Sequence, residues 1–172
     1  YAANVPILTT REPKASDDGE YIYTTREEFE RMKRAGAIVA SAQIPFSTEN
    51  RHYGYRGADI EAIWSKGKLP IVVTEMHLLQ GLAHSYGRRS VLSFGLLPPG
   101  KSKRAKLSQL LHRLRARGRE TETSIRDRLK NAERDLIFFT ERKDLFDHMV
   151  VNKDLSSIVV SIQKKVPGLS GG

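Results

Sequence analysis

The 172 residues predict an α/β protein: a parallel sheet covered by helices on both faces, with a small β-rich lobe attached. Three observations carry this. Beyond residue 57 the short apolar runs "LPIVVTE" and "SVLSF" alternate with helical stretches, and continuous rather than alternating runs are what parallel strands buried on both faces require. Before it, strand-like pieces and turn signals crowd around a single helix, as in a small β-rich unit. With 39% hydrophobic residues the chain is long enough for one substantial core, so one compact unit is expected.

The elements follow in order. "EPKASDDGE" is a polar loop and "YIYT" a short strand. "TREEFERMKRAG" is a helix that Thr25 caps while Glu28 reaches back, with Gly36 as its stop and Phe29, Met32 and the Lys33 stem as its apolar stripe. "AIVASAQIPF", the polar turn "STENR" and "HYGY" form a hairpin. Then come the helix "GADIEAIWSKGK", the buried strand "LPIVVTE", the helix "HLLQGLAHSYG", the buried strand "SVLSF", a long basic helix, a second helix, the strand "HMVVN" and the helix "DLSSIVVSIQKK". "VPGLSGG" reads as a frayed tail.

Composition narrows the chemistry. Without cysteine there is no disulfide framework, thiolate metal site or cysteine nucleophile, which suits a cytoplasmic location. No apolar run approaches the ~20 residues that cross a bilayer, and the start lacks signal-peptide features, so no membrane partner is expected. The net charge of +9 favours an anionic partner. His52, His77, His84, His112 and His148 form no H-x-x-x-H pair, and no zinc site is expected even though His77 lies near Glu75. No glycine-flanked serine elbow appears.

Two stretches look functional. "GLLPPGKS", Gly95 to Ser102, fits the letters of a phosphate-binding loop, but Pro98 and Pro99 have no N–H to offer an anion. It reads better as an ordinary strand exit. Lys101 to Arg119 holds eight Lys or Arg and no acid. Three readings compete: a solvated face docked through Leu107, Leu110, Leu111 and Leu114, a nucleic-acid patch, or a phosphate clamp in which arginines meet across Gly118 with Arg126 and Arg128 on the next helix. The clamp fits best; nucleic acid is the least favoured partner.

The set "TTREPK", "DGEYIYTTREEFERMKRAGAIV", "HYGY", "KGKLPIVVTEMHLLQGL", "LLPPGKS", "RLRARGRETETSIRDRL" and "HMVVNKDL" resembles guanylate kinases and their non-catalytic relatives, in order from about Thr9 to Lys164. The resemblance implies a parallel-sheet P-loop kinase core with helices on both faces, a small β-rich acceptor-binding lobe and a helical lid. It divides the chain into a core of 1–8, 67–112 and 132–166, a nucleoside-monophosphate-binding-like lobe at 9–66, a lid at 113–131 and a tail at 167–172. It makes "LLPPGKS" a middle-strand exit and puts the true phosphate loop ahead of the Thr9-Thr10-Arg11 start, in residues that these 172 do not include; the encoded protein is expected to carry it.

Carried over by resemblance, Arg11, Tyr21 and Tyr53 hold the acceptor phosphate, with Lys14 where a second arginine is usual. Arg113, Arg117 and Arg128 match lid arginines that contact ATP phosphates or the transferred group, Asn152 the residue near adenine, and Glu75 the remaining carboxylate that assists magnesium or the acceptor. There are departures. Ala40 replaces the glutamate that reads guanine, Tyr55 the hydroxyl residue that also reads it, and Val73 one of two acids. Losing buried hydrogen-bonding readers costs base discrimination rather than phosphate grip.

The expectation is therefore transfer of the ATP γ-phosphoryl group, with Mg2+, to GMP or a related monophosphate. A ribose 1,5-bisphosphate kinase-like enzyme and a non-catalytic module binding a phosphorylated or acidic peptide are the alternatives.

Overall fold

The computed structural model describes residues 1–44, 51–166 and 168. Instead of one compact unit the chain forms two, Tyr1–Val91 and Leu92–Gly172. The physical reason is in the strand pairing: among the described residues every hydrogen-bonded pair of strands lies within one unit or the other, so the parallel pairing is divided between them.

The first unit runs β1 (Ala2–Asn4), β2 (Ile7–Thr9), β3 (Tyr21–Tyr23), α1 (Arg26–Arg34), β4 (Ile38–Ile44), β5 (Arg51–Arg56), α2 (Gly57–Ser65), β6 (Leu69–Ile71) and α3 (Met76–Tyr86). Strands β3-β2-β5-β4 make a four-stranded sheet, antiparallel except for the parallel pair β2–β3. Its register puts Ile7 beside Tyr21, Thr9 beside Tyr53, Ala42 beside Tyr53 and Ala40 beside Tyr55, so these side chains share one face. Leu8 pairs with Gly54 on the other face, which α1 covers. A Cβ on Gly54 would lie 3.2 Å from the Phe29 ring, and Phe29 is fully buried. Thr25 Oγ1 caps α1 by accepting from the Glu28 N–H at 3.2 Å, while the Glu28 carboxylate is engaged by Arg31. Gly36, at φ 76°, ends the turn after α1 in a backbone region that suits glycine.

Val5, Ala40, Tyr55, Ile60, Leu78 and Leu82 form the core between the sheet, α2 and α3. Each buried aliphatic or aromatic side chain there is worth about 2 kcal/mol. Gly81 on α3 comes so close that a Cβ on it would lie 2.8 Å from that of Ala40. The hairpin strands are present, but positions 45–50, including most of the expected turn "STENR", lie outside the described residues.

Strand β6 corrects an expectation. Leu69 and Ile71 are each 38% exposed and Val73, beyond the strand end, is 88% exposed, because among the described residues β6 pairs with β1 alone. Strands β1 and β2 carry no pattern strong enough to be read from three residues apiece.

The second unit runs β7 (Phe94–Leu97), α4 (Lys103–Arg117), α5 (Glu122–Glu141), β8 (His148–Val151) and α6 (Leu155–Lys165), with β7 and β8 parallel. The expected strand "SVLSF" starts later than read, since Ser90 closes a 3-10 turn and Ser93 is spent on side-chain bonding: its Oγ donates to the Leu145 carbonyl and its N–H to Asp147 Oδ2 at 2.7 Å. Ser102 and Thr121 cap α4 and α5. Gly118 ends α4 at φ 62°. Leu114 and Ile125 are buried, and Phe138 and Phe139 pack edge-on against Phe146 at 5.9 and 4.9 Å. The tail beyond 166 lies outside the described residues apart from Gly168. Among the described residues no helix is long and apolar enough to cross a membrane.

Candidate functional site

In the first unit the chain leaves β2 at Thr9 and turns at once. The buried Thr9 hydroxyl donates to the His52 carbonyl at 3.1 Å and accepts from the Arg11 N–H at 3.1 Å, which fixes where the Arg11 side chain starts. The guanidinium then lies 4.5 Å above the Tyr21 ring, a stacking that favours the cation. Nη1 donates to the Glu12 carbonyl at 3.0 Å and Nη2 to Asp17 Oδ1 at 2.9 Å. The Arg11 side chain is only 6% exposed. Its pKa is nevertheless raised, because burial, which opposes the charge, is outweighed by hydrogen bonding and Coulombic attraction to Asp17 and Tyr21.

Asp17 is held lower, at about 2, by hydrogen bonds from the Tyr23 hydroxyl, from Arg11 and from the Lys14 N–H, the last at 2.9 Å. Tyr23 is correspondingly pushed up to about 12, first by its bond to Asp17. Arg11, Tyr21 and the backbone of Lys14 thus gather around one short loop; the Lys14 side chain is exposed. Tyr53 shares the sheet face with Tyr21 and packs against the core cluster.

Glu75 stands at the N-cap of α3. Oε1 accepts from the Leu78 N–H at 2.6 Å, Oε2 lies 2.9 Å from His77 Nδ1, and the side chain stays 28% exposed. Burial raises the pKa of the Tyr55 phenol, a hydrogen bond with Thr74 opposes it, and the charges of Glu75 and Tyr21 add smaller upward contributions. Tyr55 is 1% exposed and Ala40 4%, so the two positions that the resemblance matches to base readers hold core-packing side chains.

In the second unit Arg113 and Asn152 are brought together through the backbone: Arg113 Nη2 donates to the carbonyls of Asn152 and Lys153 at 3.0 and 3.2 Å. Arg128 Nε meets Glu120 Oε2 at 2.9 Å, and Arg117, the last residue of α4, is exposed. In "GLLPPGKS" the Ser102 hydroxyl accepts from the Ala105 N–H at 3.1 Å, and the Lys106 ammonium donates to the Gly100 carbonyl, so the segment's groups serve the start of α4. Among the described residues no three His, Asp or Glu side chains are placed to hold a metal ion.

Asp17 and Tyr23 belong to this cluster around Arg11, and sequence reading passes over both. No local signal marks them: the Asp17 side chain reaches back to the N–H of Lys14, three residues before it, whereas the common aspartate turn bonds backbone two residues ahead.

The Guanylate kinase family model matches residues 2–167. The chain is 28% identical over 160 residues to the guanylate kinase of Thermosynechococcus vestitus, covering 92% of this chain and 75% of that protein. It is 30% identical over 157 residues to the guanylate kinase of Prochlorococcus marinus, covering 90% and 76%. The crystal structure of guanylate kinase from Anaplasma phagocytophilum superposes with a TM-score of 0.69 at 21% identity, covering 95% of this chain and 73% of that one, a likeness of fold. The α/β fold, the ordered motifs and the match over nearly the whole length agree: the chain belongs to the guanylate kinase family.

Proposed function

We infer that the protein transfers the γ-phosphoryl group of ATP to a small phosphomonoester. The observation that carries this is Arg11: a charged side chain 6% exposed, stacked on Tyr21 and beside the Lys14 turn, has the geometry of a preset anion grip. In this reading Arg11, Lys14, Tyr21 and Tyr53 hold the acceptor phosphate. Arg113, Arg117 and Arg128 supply the donor-side positive charge that a metaphosphate-like transfer needs, and Asn152 sits near adenine. In the same reading the Glu75 carboxylate, 28% exposed, would assist magnesium or the acceptor. Magnesium, when bound, neutralises charge on the ATP phosphates. The proposed domain roles are an acceptor lobe at 9–66 and a lid at 113–131.

The burial of Ala40 and Tyr55 favours a second reading, in which the acceptor is a phosphorylated sugar such as ribose 1,5-bisphosphate rather than GMP. A nucleobase read through hydrogen bonds needs polar partners at these positions. The test is steady-state transfer by the protein as encoded, with a panel of nucleoside monophosphates and ribose 1,5-bisphosphate. Turnover of one panel member with magnesium-ATP is expected. Failure with all of them, together with binding of a phosphorylated peptide, identifies the non-catalytic module instead.

A further inference from the structure

Asp17 links three separate pieces of chain through one carboxylate. Oδ1 accepts from Arg11 Nη2 at 2.9 Å; Oδ2 accepts from the Lys14 N–H at 2.9 Å and from the Tyr23 hydroxyl on β3. The turn is closed in the opposite sense by the Asp17 N–H, which donates to the Lys14 carbonyl at 3.0 Å. The acid is thus joined to the exit of β2, to its own turn and to the neighbouring strand. A guanidinium carries five N–H donors, and Asp17 and the Glu12 carbonyl use only part of that set.

We propose that Asp17 is the positioning residue of the acceptor-phosphate grip, aiming the remaining Arg11 donors and the Lys14 turn at an incoming phosphomonoester without touching it. This rests on the acceptor-site reading above. The rival role is a place-holder, an internal carboxylate that the phosphate must displace. The geometry favours positioning. An entering anion would have to part an ion pair whose members are 6% and 12% exposed and break the bonds from Lys14 and Tyr23 as well, whereas using the unspent donors of Arg11 breaks none of these. The Arg11 stack on Tyr21 at 4.5 Å also holds the guanidinium plane in place for an anion approaching its edge. Tyr23 joins the same device, since its hydroxyl braces the carboxylate from β3.

Inorganic phosphate is the probe, titrated calorimetrically into the full-length protein and into its Asp17→Asn, Asp17→Glu, Tyr23→Phe and Arg11→Ala variants. Asp17→Asn is expected to weaken phosphate binding about tenfold. Tyr23→Phe, at a 39% exposed position, should weaken it about threefold. Asp17→Glu, which keeps the charge, should recover most of the loss. In turnover, the acceptor KM should rise with kcat and the KM for ATP little changed, a split that general loosening of the fold does not produce. Unchanged or tighter phosphate binding by Asp17→Asn and Tyr23→Phe, with Arg11→Ala still losing it, overturns the positioning role and leaves the acceptor site standing. Phosphate binding by Arg11→Ala equal to that of the unaltered protein, or no binding by any form, removes the acceptor site and this proposal together.

Discussion

In the first unit the anion-binding candidate Arg11 is walled in by Tyr21, Asp17 and the Glu12 carbonyl, whereas Arg117 and Arg128 of the second unit stand on helix surface, Arg128 with its side chain 56% exposed. An arginine carries about 2 kcal/mol of rotamer entropy. Arg11 has surrendered its share in folding, so a ligand meets a ready shape. The exposed pair must surrender theirs when the ligand arrives, which suits groups wanted only while charge is moving. Arg113 lies between these extremes, half-buried and tied to backbone carbonyls. In the proposed function the same residue type does ground-state holding in one place and transition-state neutralisation in another, and burial separates the two.

The sharpest way to break this contrast is Arg128→Ala. As a donor-side charge it should lower kcat about a thousandfold while the acceptor KM stays within about threefold; an acceptor KM that rises in step would make Arg128 a holding residue. Arg11→Ala should do the opposite, raising the acceptor KM about a hundredfold with a much smaller change in kcat. Next comes Ala40→Glu, which restores a reader by sequence but forces a carboxylate into a site 4% exposed and hard against Gly81. It should cost about 3–5 kcal/mol, seen as a drop of roughly 10 °C or more in Tm by circular dichroism. An unchanged melt would show that this side of the sheet opens to water.

The smallest effect is in the titration of the Arg11 loop. Asp17, lowered to about 2 against an ordinary ~3.9, adds stability above the ordinary value that is lost as pH falls toward 2. Tyr23, raised to about 12 from ~10, adds stability below the ordinary value that is lost as pH rises toward 12. The loop should thus be fully tied between about pH 4 and 10. Ultraviolet titration should find one late phenol fewer in Tyr23→Phe.

Much of this was readable beforehand. The Thr25 cap, the α1 stop at Gly36 and the Phe29 stripe depend on neighbours three or four residues away, and local patterns carry such information. The family was legible through motif order, while the roles of the arginines and of Ala40 and Tyr55 belong to the proposed function. What escaped was set by distant partners. "EPKASDDGE" reads as a solvated loop because nothing local reveals that Asp17 meets a tyrosine on the next strand. β6 reads as buried because "LPIVV" is apolar, but exposure depends on how many strands flank it, and among the described residues the flank is β1 alone.

That flank has a practical side. β6 presents Leu69 and Ile71, and β7–β8 presents Leu96, Met149 and Val151, each of the five between 38% and 43% exposed on a two-stranded parallel ribbon. Ribbons so narrow and greasy recruit whatever extended peptide is at hand. Handled as these 172 residues alone, the polypeptide should run polydisperse in gel filtration and sharpen with mild detergent, and yield in expression trials will follow how well those ribbons are shielded rather than how well the phosphate grip is formed.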